Sequence, residues 1–134
     1  MTKAYNLGSL TAPEGTLVTA EDGFGYMGMP QRNNPGSVTI AATDAGKHFY
    51  YTTTGQTLTI PAATALALPI GFTFTVINAA AVTTTIAITT DTMYLAGTGT
   101  TGSRTLAAYG MATAVKVSGV SSAGVWMISG NGLT

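Results

Sequence analysis

Charged side chains are scarce in this sequence, whose 134 residues include five Lys or Arg, five Asp or Glu and a single His. A nucleic-acid groove needs several cations that converge on phosphates, so no nucleic-acid partner is expected. Cysteine is absent, which excludes a disulfide framework, a thiolate nucleophile and a zinc ribbon. The chain also lacks the run of about 18 apolar residues that a membrane helix requires, and no membrane partner is expected.

The shortage of charge also bears on the surface of the folded chain. Soluble monomers normally expose many Lys, Glu, Asp and Arg side chains, and only 7% of these residues are charged. So few charges are typical of a surface that is covered by another protein subunit. The composition therefore predicts an assembly component and not an enzyme.

Period-two alternation of apolar and hydroxyl side chains is abundant, most clearly between residues 57 and 90. Phe72, Phe74 and Val76, for example, alternate with threonines, which is the pattern of strands with one buried face. Ile86, Ile88 and Trp126 are also expected in the core. Strands are predicted at 38–42, 47–53, 56–60, 71–78, 82–89, 92–96, 104–109, 112–118 and 124–129.

Turn signals separate these short strands about every ten residues, which favours an all-β fold. We expect an antiparallel β-sandwich, jelly-roll-like, with an extended N-terminal arm. The body would span residues 37–134, and residues 1–36 would form either the arm or a pair of edge strands. The best helical candidate, 62–68, is short, and no fixed repeat period suggests a solenoid.

Residues 1–36 have a texture of their own, in which glycines alternate with aromatic and methionine side chains. Such a segment cannot build its own core. It would either dock on a neighbouring subunit or fold onto the sandwich of its own chain. The side chains expected at an interface are Phe24, Tyr26, Met27, Met29 and Tyr50.

Two candidate chemical sites are weakly supported by their sequence context. Residues 97–102 match the GxGxxG pattern, but no strand-to-helix context or later acidic residue accompanies them. His48, with Asp44 as a possible orienting acid, lacks a nucleophile motif and enough further ligands for a metal. No catalytic residue, cofactor or metal is expected.

Two further groups of side chains leave alternatives open. The six tyrosines and Trp126 could stack on sugar rings, although such aromatics more often lie in cores or protein interfaces. Lys47, Arg104 and Lys116 each stand alone among uncharged residues. They are either solvated strand positions or partners, across a subunit interface, for the acidic side chains of the N-terminal segment, Glu14, Glu21 and Asp22.

A progression of short motifs covers about two-thirds of the chain: Leu58-Thr59-Ile60-Pro61, then 68–78, 82–88, Val115-Lys116-Val117 and 125–130. This progression resembles the small β-rich modules of tailed-bacteriophage virions, found in head decoration (cement) proteins and in head or tail fibres. The resemblance implies a homotrimer that is made in the host cytoplasm, lies on the capsid surface and joins major capsid subunits. A fibre module, a carbohydrate-binding adhesin and a small hydrolase are the alternatives.

Overall fold

The computed structural model describes residues 28–134, and strands make up nearly all of its regular structure. Within that part, the helical structure is a single 3₁₀ turn, Ala42–Asp44, and no helix is long and apolar enough to cross a membrane. The prediction of an all-β fold is confirmed. The strands are β1 (Gln31–Asn33), β2 (Val38–Thr39), β3 (His48–Tyr51), β4 (Thr57–Ile60), β5 (Thr73–Asn78), β6 (Thr84–Ile88), β7 (Thr92–Leu95), β8 (Arg104–Ser118) and β9 (Val125–Leu133).

The strands pair in the order β1-β3-β5-β8-β6-β4-β2, with β9 beside β8 and β7 beside β9. In this order β8 stands between two half-sheets. The odd half-sheet, β1-β3-β5, precedes β8, and the even half-sheet, β6-β4-β2, follows it. From β1 to β6 the chain passes from one half-sheet to the other at every connection. Each crossing lays a new strand parallel to the previous one of its half-sheet, so the chain winds in stacked coils.

The pairing is therefore mixed, where an antiparallel sheet is expected from the sequence. The contacts of β8 with β5, β6 and β9 are antiparallel, and the remaining pairings are parallel. A jelly roll is not confirmed. Strand alternation fixes which face is buried, but it is the same for parallel and antiparallel neighbours.

No fixed repeat accompanies the coils because they differ in length. In the odd half-sheet Gln31 pairs with His48 and His48 pairs with Thr75, so the second coil is much longer than the first. In the even half-sheet the coil from Leu58 to its partner Ile86 is likewise longer than the coil from Val38 to Leu58. Turns of variable length thus hide the stacking from any search for a period.

One hydrophobic core receives side chains from both half-sheets. Phe49 and Val76 of the odd half-sheet and Leu58 of the even one are fully buried in the same cluster. The ring of Phe74 packs edge-on against Phe49, at a centroid distance of 6.0 Å, and against Trp126, at 5.9 Å. Five of the six predicted core residues, Phe72, Phe74, Val76, Ile86 and Trp126, are buried, and Ile88 is half-buried against the cluster.

Strand β8 is longer than predicted, because residues 104–109 and 112–118 form one strand of 15 residues. Its start pairs with β6, and its later part pairs with β5. Between them Tyr109 has a φ of 58°, and the ladder to β9 is irregular between Leu106 and Met111. The irregularity, which includes Gly110, lets a single strand pair with both half-sheets.

Residues 62–68, the best helical candidate, contain a turn at 63–65 and a bend at 66 and form no helix. Strand β9 continues through Gly130 and Gly132, past the predicted end of that strand at residue 129. Strand β1 falls inside the segment 1–36 and pairs with β3, so the end of that segment is part of the sheet. Residues 1–27 lie outside the described part of the chain.

Candidate interaction face

The outward side chains of β3, β5, β8, β9 and β7 form one continuous surface, which we call the outer face. The ladder registers place its residues in rows across the strands. With strands about 4.8 Å apart, β3 and β7 are separated by roughly 19 Å. The rows are Tyr50, Ile77, Met111 and Asn131; then His48, Thr75, Thr113 and Ser129; then Thr73, Val115, Met127 and Tyr94.

Alternation in the sequence determines this surface. Along β8 the small side chains of Ala112 and Ala114 are buried. Met111, Thr113 and Val115 alternate with them and therefore point outward. The same parity in β5 points Phe74 into the core and Thr73 and Thr75 to the opposite side, where Thr73 is half-buried and Thr75 is 5% exposed. The face assignment made from the sequence for β5 is confirmed.

The outer face, as these five described strands form it, carries no Lys, Arg, Asp or Glu, and His48 lies at its margin. Its centre is partly apolar: 54% of Met111 and 38% of Met127 are exposed, and Ile77 and Val115 are half-buried. Val117, on the same side of β8, is also exposed. The surface of a folded domain seldom combines exposed methionines with so little charge.

Hydroxyl groups of the outer face also bond to each other. Thr75 Oγ1 and Thr113 Oγ1 lie 2.8 Å apart in directly paired positions of β5 and β8. A cross-strand pair of threonines stabilises the sheet and uses part of its own hydrogen-bonding capacity. If another protein surface covers this row, fewer new hydrogen bonds are needed to replace those lost to water than for two unpaired hydroxyls.

The residues predicted at an interface are only partly placed together. Tyr50 lies in the outer face, in the row of Ile77 and Met111. Met29 is 37% exposed just before β1, and its carbonyl lies 3.1 Å from Nδ1 of His48. Phe24, Tyr26 and Met27 lie outside the described residues.

Asp44 forms a structural charge cluster and does not orient the histidine. Its carboxylate, almost fully buried, accepts hydrogen bonds from Arg32 Nη1 at 2.8 Å and from the backbone of Ala41 at 2.9 Å. Lys47 Nζ lies 3.6 Å away. His48 instead contacts the carbonyl of Met29. Among residues 28–134 no group of three His, Asp or Glu is placed to hold a metal ion.

The glycine-rich segment 97–102 joins strand β7 to strand β8. Thr101 forms a bridge to Tyr94, and the hydroxyls of Thr98 and Thr100 lie 2.9 Å apart. A dinucleotide site needs the N-terminus of a helix at this point to hold the pyrophosphate. A strand occupies that place, so the segment is a loop between two strands.

Two of the three isolated cations are buried, which excludes for them the alternative of solvated strand positions. Lys116 is 1% exposed; its Nζ lies 3.5 Å from the carbonyl of Val120 and 5.9 Å from the ring centre of Trp126. Arg104 is 8% exposed and donates to the carbonyl and hydroxyl of Thr100. The proposed partners Glu14, Glu21 and Asp22 lie outside the described residues.

A signal for the burial of Lys116 was present in the sequence. Lys116 has the parity of Ala112 and Ala114, whose side chains point into the core. A single charged residue in an alternating run is normally assigned to the solvent face, because burying an unpaired charge is expensive. Lys47 behaves as expected, with 32% of its side chain exposed.

The four tyrosines of residues 28–134 do not form one platform for a sugar ring. Tyr50 and Tyr94 lie on opposite margins of the outer face, with β5, β8 and β9 between their strands. Tyr51 is fully buried, and Tyr109 is 75% exposed at the irregularity of β8. Tyr5 lies outside the described residues.

Neither a scan against protein-family models nor a search of curated proteins gave a match for this chain.

Proposed function

We propose that this chain is a virion structural protein, a decoration (cement) protein that binds the outer surface of a tailed-bacteriophage head. It acts as a homotrimer and stabilises contacts between major capsid subunits. The observation that carries the proposal is the outer face, a continuous surface whose five described strands contribute no Lys, Arg, Asp or Glu to it. The order of motifs in the sequence, which resembles phage virion modules, supplies the class of assembly.

The outer face suits contact between copies of the chain. Association there would remove Met111, Met127 and Val117 from water, and burial of apolar surface contributes about 25 cal/mol per Å². No ion of the five described strands would lose its hydration, because they place no carboxylate, ammonium or guanidinium group on the face. An uncharged face also meets its symmetry copies without like-charge repulsion.

Trimer formation would in turn strengthen attachment to the capsid. Three linked copies bind a symmetric lattice with an avidity that can exceed the affinity of one copy by roughly 10²–10⁴. In this proposal, decoration stabilises the capsid mechanically through many weak contacts. It requires no catalytic residue.

Charge placed in the outer face tests the proposal. Met111→Glu and Met127→Glu should convert a trimer to a monomer, measured by light scattering after size exclusion, because each buries a carboxylate at the contact. The same variants should lose at least about tenfold in binding to empty capsids, measured by co-sedimentation, through the loss of avidity. Val120→Glu, in the β8–β9 loop and 45% exposed, is the matched control and should change neither quantity.

Two results would contradict the proposal. A natural chain that remains monomeric at high micromolar concentration has no trimer for the outer face to hold. If the Met111→Glu and Met127→Glu proteins bind capsids as tightly as the natural chain does, the outer face does not contribute to attachment. Unfolding curves of all three variants confirm that each protein is folded, since exposed substitutions usually alter stability by about 0.5 kcal/mol or less.

The exposed ring of Tyr109 favours one alternative, a head or tail fibre module or adhesin that binds carbohydrate. A ring that is 75% exposed offers a face for stacking against a sugar. In that case the natural chain should bind members of a glycan array, and Tyr109→Ala should abolish the signal. Decoration without glycan binding would eliminate this alternative.

A further inference from the structure

Near the end of β9 an asparagine is followed directly by a glycine. Asn131-Gly132 is the single Asn-Gly pair of the sequence. Asparagine is a chemically labile residue, because the backbone nitrogen of the next residue can attack its side-chain amide carbon and close a small ring. A glycine in that next position hinders the attack least, since it has no Cβ. The pair is therefore suited to losing the amide group of Asn131.

The structure leaves this pair outside the regular ladder between β8 and β9. Asn131 pairs with Met111 and Leu133 pairs with Leu106, but Gly132 between them has no partner in the register. Its φ of 83° also departs from extended strand geometry. Both residues of the pair are exposed, so water and hydroxide reach them. Backbone that a ladder does not hold can reach a reactive geometry by a local motion, without unfolding of the chain.

The other asparagines of the described chain lack this combination. Asn34 precedes a proline, whose nitrogen carries no proton to lose. Asn78 is fully buried, and its Nδ2 donates to the carbonyl of Val82 at 2.8 Å. Asn33 is exposed, but the residue after it carries a side chain and not a hydrogen. The same molecule thus provides three internal controls.

We infer that Asn131 is a deamidation site in the folded chain. Hydroxide removes the proton of the Gly132 N–H, and the nitrogen forms a bond to Cγ of Asn131. The bond from Cγ to Nδ2 then breaks, and Nδ2 leaves as ammonia after taking a proton from water. Water opens the resulting succinimide to an aspartate or isoaspartate side chain at position 131. The sequence of steps consumes water and requires no oxidant, reductant or cofactor.

The product places a carboxylate in the outer face. Asn131 lies in the row of Tyr50, Ile77 and Met111, and the five described strands contribute no acidic side chain to that surface. The consequence for association rests on the proposed function: each deamidated copy would bring a charge into the contact, and burying a charge without a partner is unfavourable. Free chains would then lose the ability to associate as they age. Copies that are already associated would be protected, because the pair is covered.

Incubation of the full chain at mildly alkaline pH over several days tests the modification. Mass spectrometry of a digest should show amide loss at Asn131, and the amides of Asn33, Asn34 and Asn78 should remain. The variant Asn131→Gln should stay intact, because its longer side chain must close a larger ring. Amide loss at Asn33 as fast as at Asn131 overturns the inference. So does an amide at Asn131 that persists after a synthetic peptide of residues 128–134 has lost its own.

A matched pair of variants tests the consequence for the outer face. Asn131→Asp carries the charge of the product, and Asn131→Gln keeps a neutral amide. Light scattering should show association weakened at least about tenfold in Asn131→Asp relative to Asn131→Gln, a difference of about 1.4 kcal/mol. Equal association of the two variants overturns this consequence, and a natural chain that is monomeric contradicts the proposed function instead. In both cases the digest of the natural chain decides the modification independently.

Discussion

At the scale of single residues, Lys116 presents the clearest conflict between charge and burial. Its side chain is 1% exposed, and one carbonyl at 3.5 Å is its hydrogen-bond acceptor in the described part of the chain. Burying a charge with so little compensation is unfavourable. Lys116→Met keeps the length and the contact with Trp126 but removes the charge. We expect its free energy of unfolding to be unchanged or higher by about 1 kcal/mol.

Denaturant unfolding of the variant beside the natural chain measures this effect. Lys47→Met is the control, because Lys47 is partly exposed and is the more distant of the two cations that pair with Asp44. We expect it to lower the free energy of unfolding by about 1 kcal/mol or less. A loss above about 1 kcal/mol in Lys116→Met would mean that the contacts to Val120 and Trp126 outweigh the desolvation of the ammonium.

Tyr51 makes stability depend on alkaline pH. Burial raises the pKa of its phenol from 10.0 to about 12, and the nearby charge of Arg32 opposes that rise. Because the folded pKa lies above the unfolded one, this contribution to stability is complete below about pH 10 and is lost as the pH rises toward about 12. The Tyr51 hydroxyl has no hydrogen-bond partner among residues 28–134. A tyrosinate at this position would therefore be a buried charge without a compensating hydrogen bond.

Tyr51→Phe should therefore be nearly neutral at pH 7 and more stable than the natural chain at about pH 11. Denaturant unfolding at the two pH values measures the difference. Tyr50→Phe, on the opposite side of β3, is the control and should follow the natural chain. Parallel loss of stability in Tyr51→Phe and the natural chain would assign the alkaline transition to other groups.

At the scale of elements, the β8–β9 hairpin depends on a close approach at Gly130. A Cβ on this residue would lie 2.3 Å from the carbonyl oxygen of Met111 and 2.5 Å from Cα of Ala112. Both atoms belong to the backbone of β8, so the strands would have to separate. We expect Gly130→Ala to lower the free energy of unfolding by roughly 2 kcal/mol, within the range of overpacked sites.

Ser129→Ala, one residue earlier and exposed on the outer face, is the matched control and should remain within about 0.5 kcal/mol of the natural chain. Thermal or denaturant unfolding distinguishes the two variants. Equal stability of Gly130→Ala and Ser129→Ala would show that β9 shifts without cost and that the approach is not a constraint.

The sequence predicts the faces of elements well and their partners poorly. Alternation alone assigns Phe72, Phe74 and Trp126 to the core, because burial of apolar side chains needs only local parity. Whether two neighbouring strands are parallel or antiparallel depends on the path of the chain between them. Because the coils differ in length, no local sequence pattern indicates that path. Of the candidate site, Tyr50 was identified in advance. The outer face as a unit was not, because it is assembled from strands far apart in the chain, and its first row alone runs from Tyr50 to Asn131.

At the scale of the whole molecule, the lack of charge on the outer face has a consequence for association. Ionic contacts weaken with salt because the screening length falls from about 10 Å at 0.1 M to about 3 Å at 1 M, whereas apolar burial does not. The trimer proposed for the outer face should therefore persist when NaCl is raised from about 0.1 M to about 1 M.

Sedimentation or light scattering across that range measures the effect. Dissociation of the trimer at high salt would indicate that charged groups elsewhere hold it together.

The central place of β8 in the pairing order bears on how the chain can fold while it is being synthesised. Both half-sheets end on β8, yet residues 104–118 leave the ribosome after every strand of the two half-sheets. Until then β5 and β6 each present an unpaired edge, and such edges in a nascent chain invite pairing with other chains. The native sheet can therefore close only after residues 104–118 have emerged, and interruption before β8 would release a polypeptide in which the β8-facing edges of β5 and β6 are both exposed.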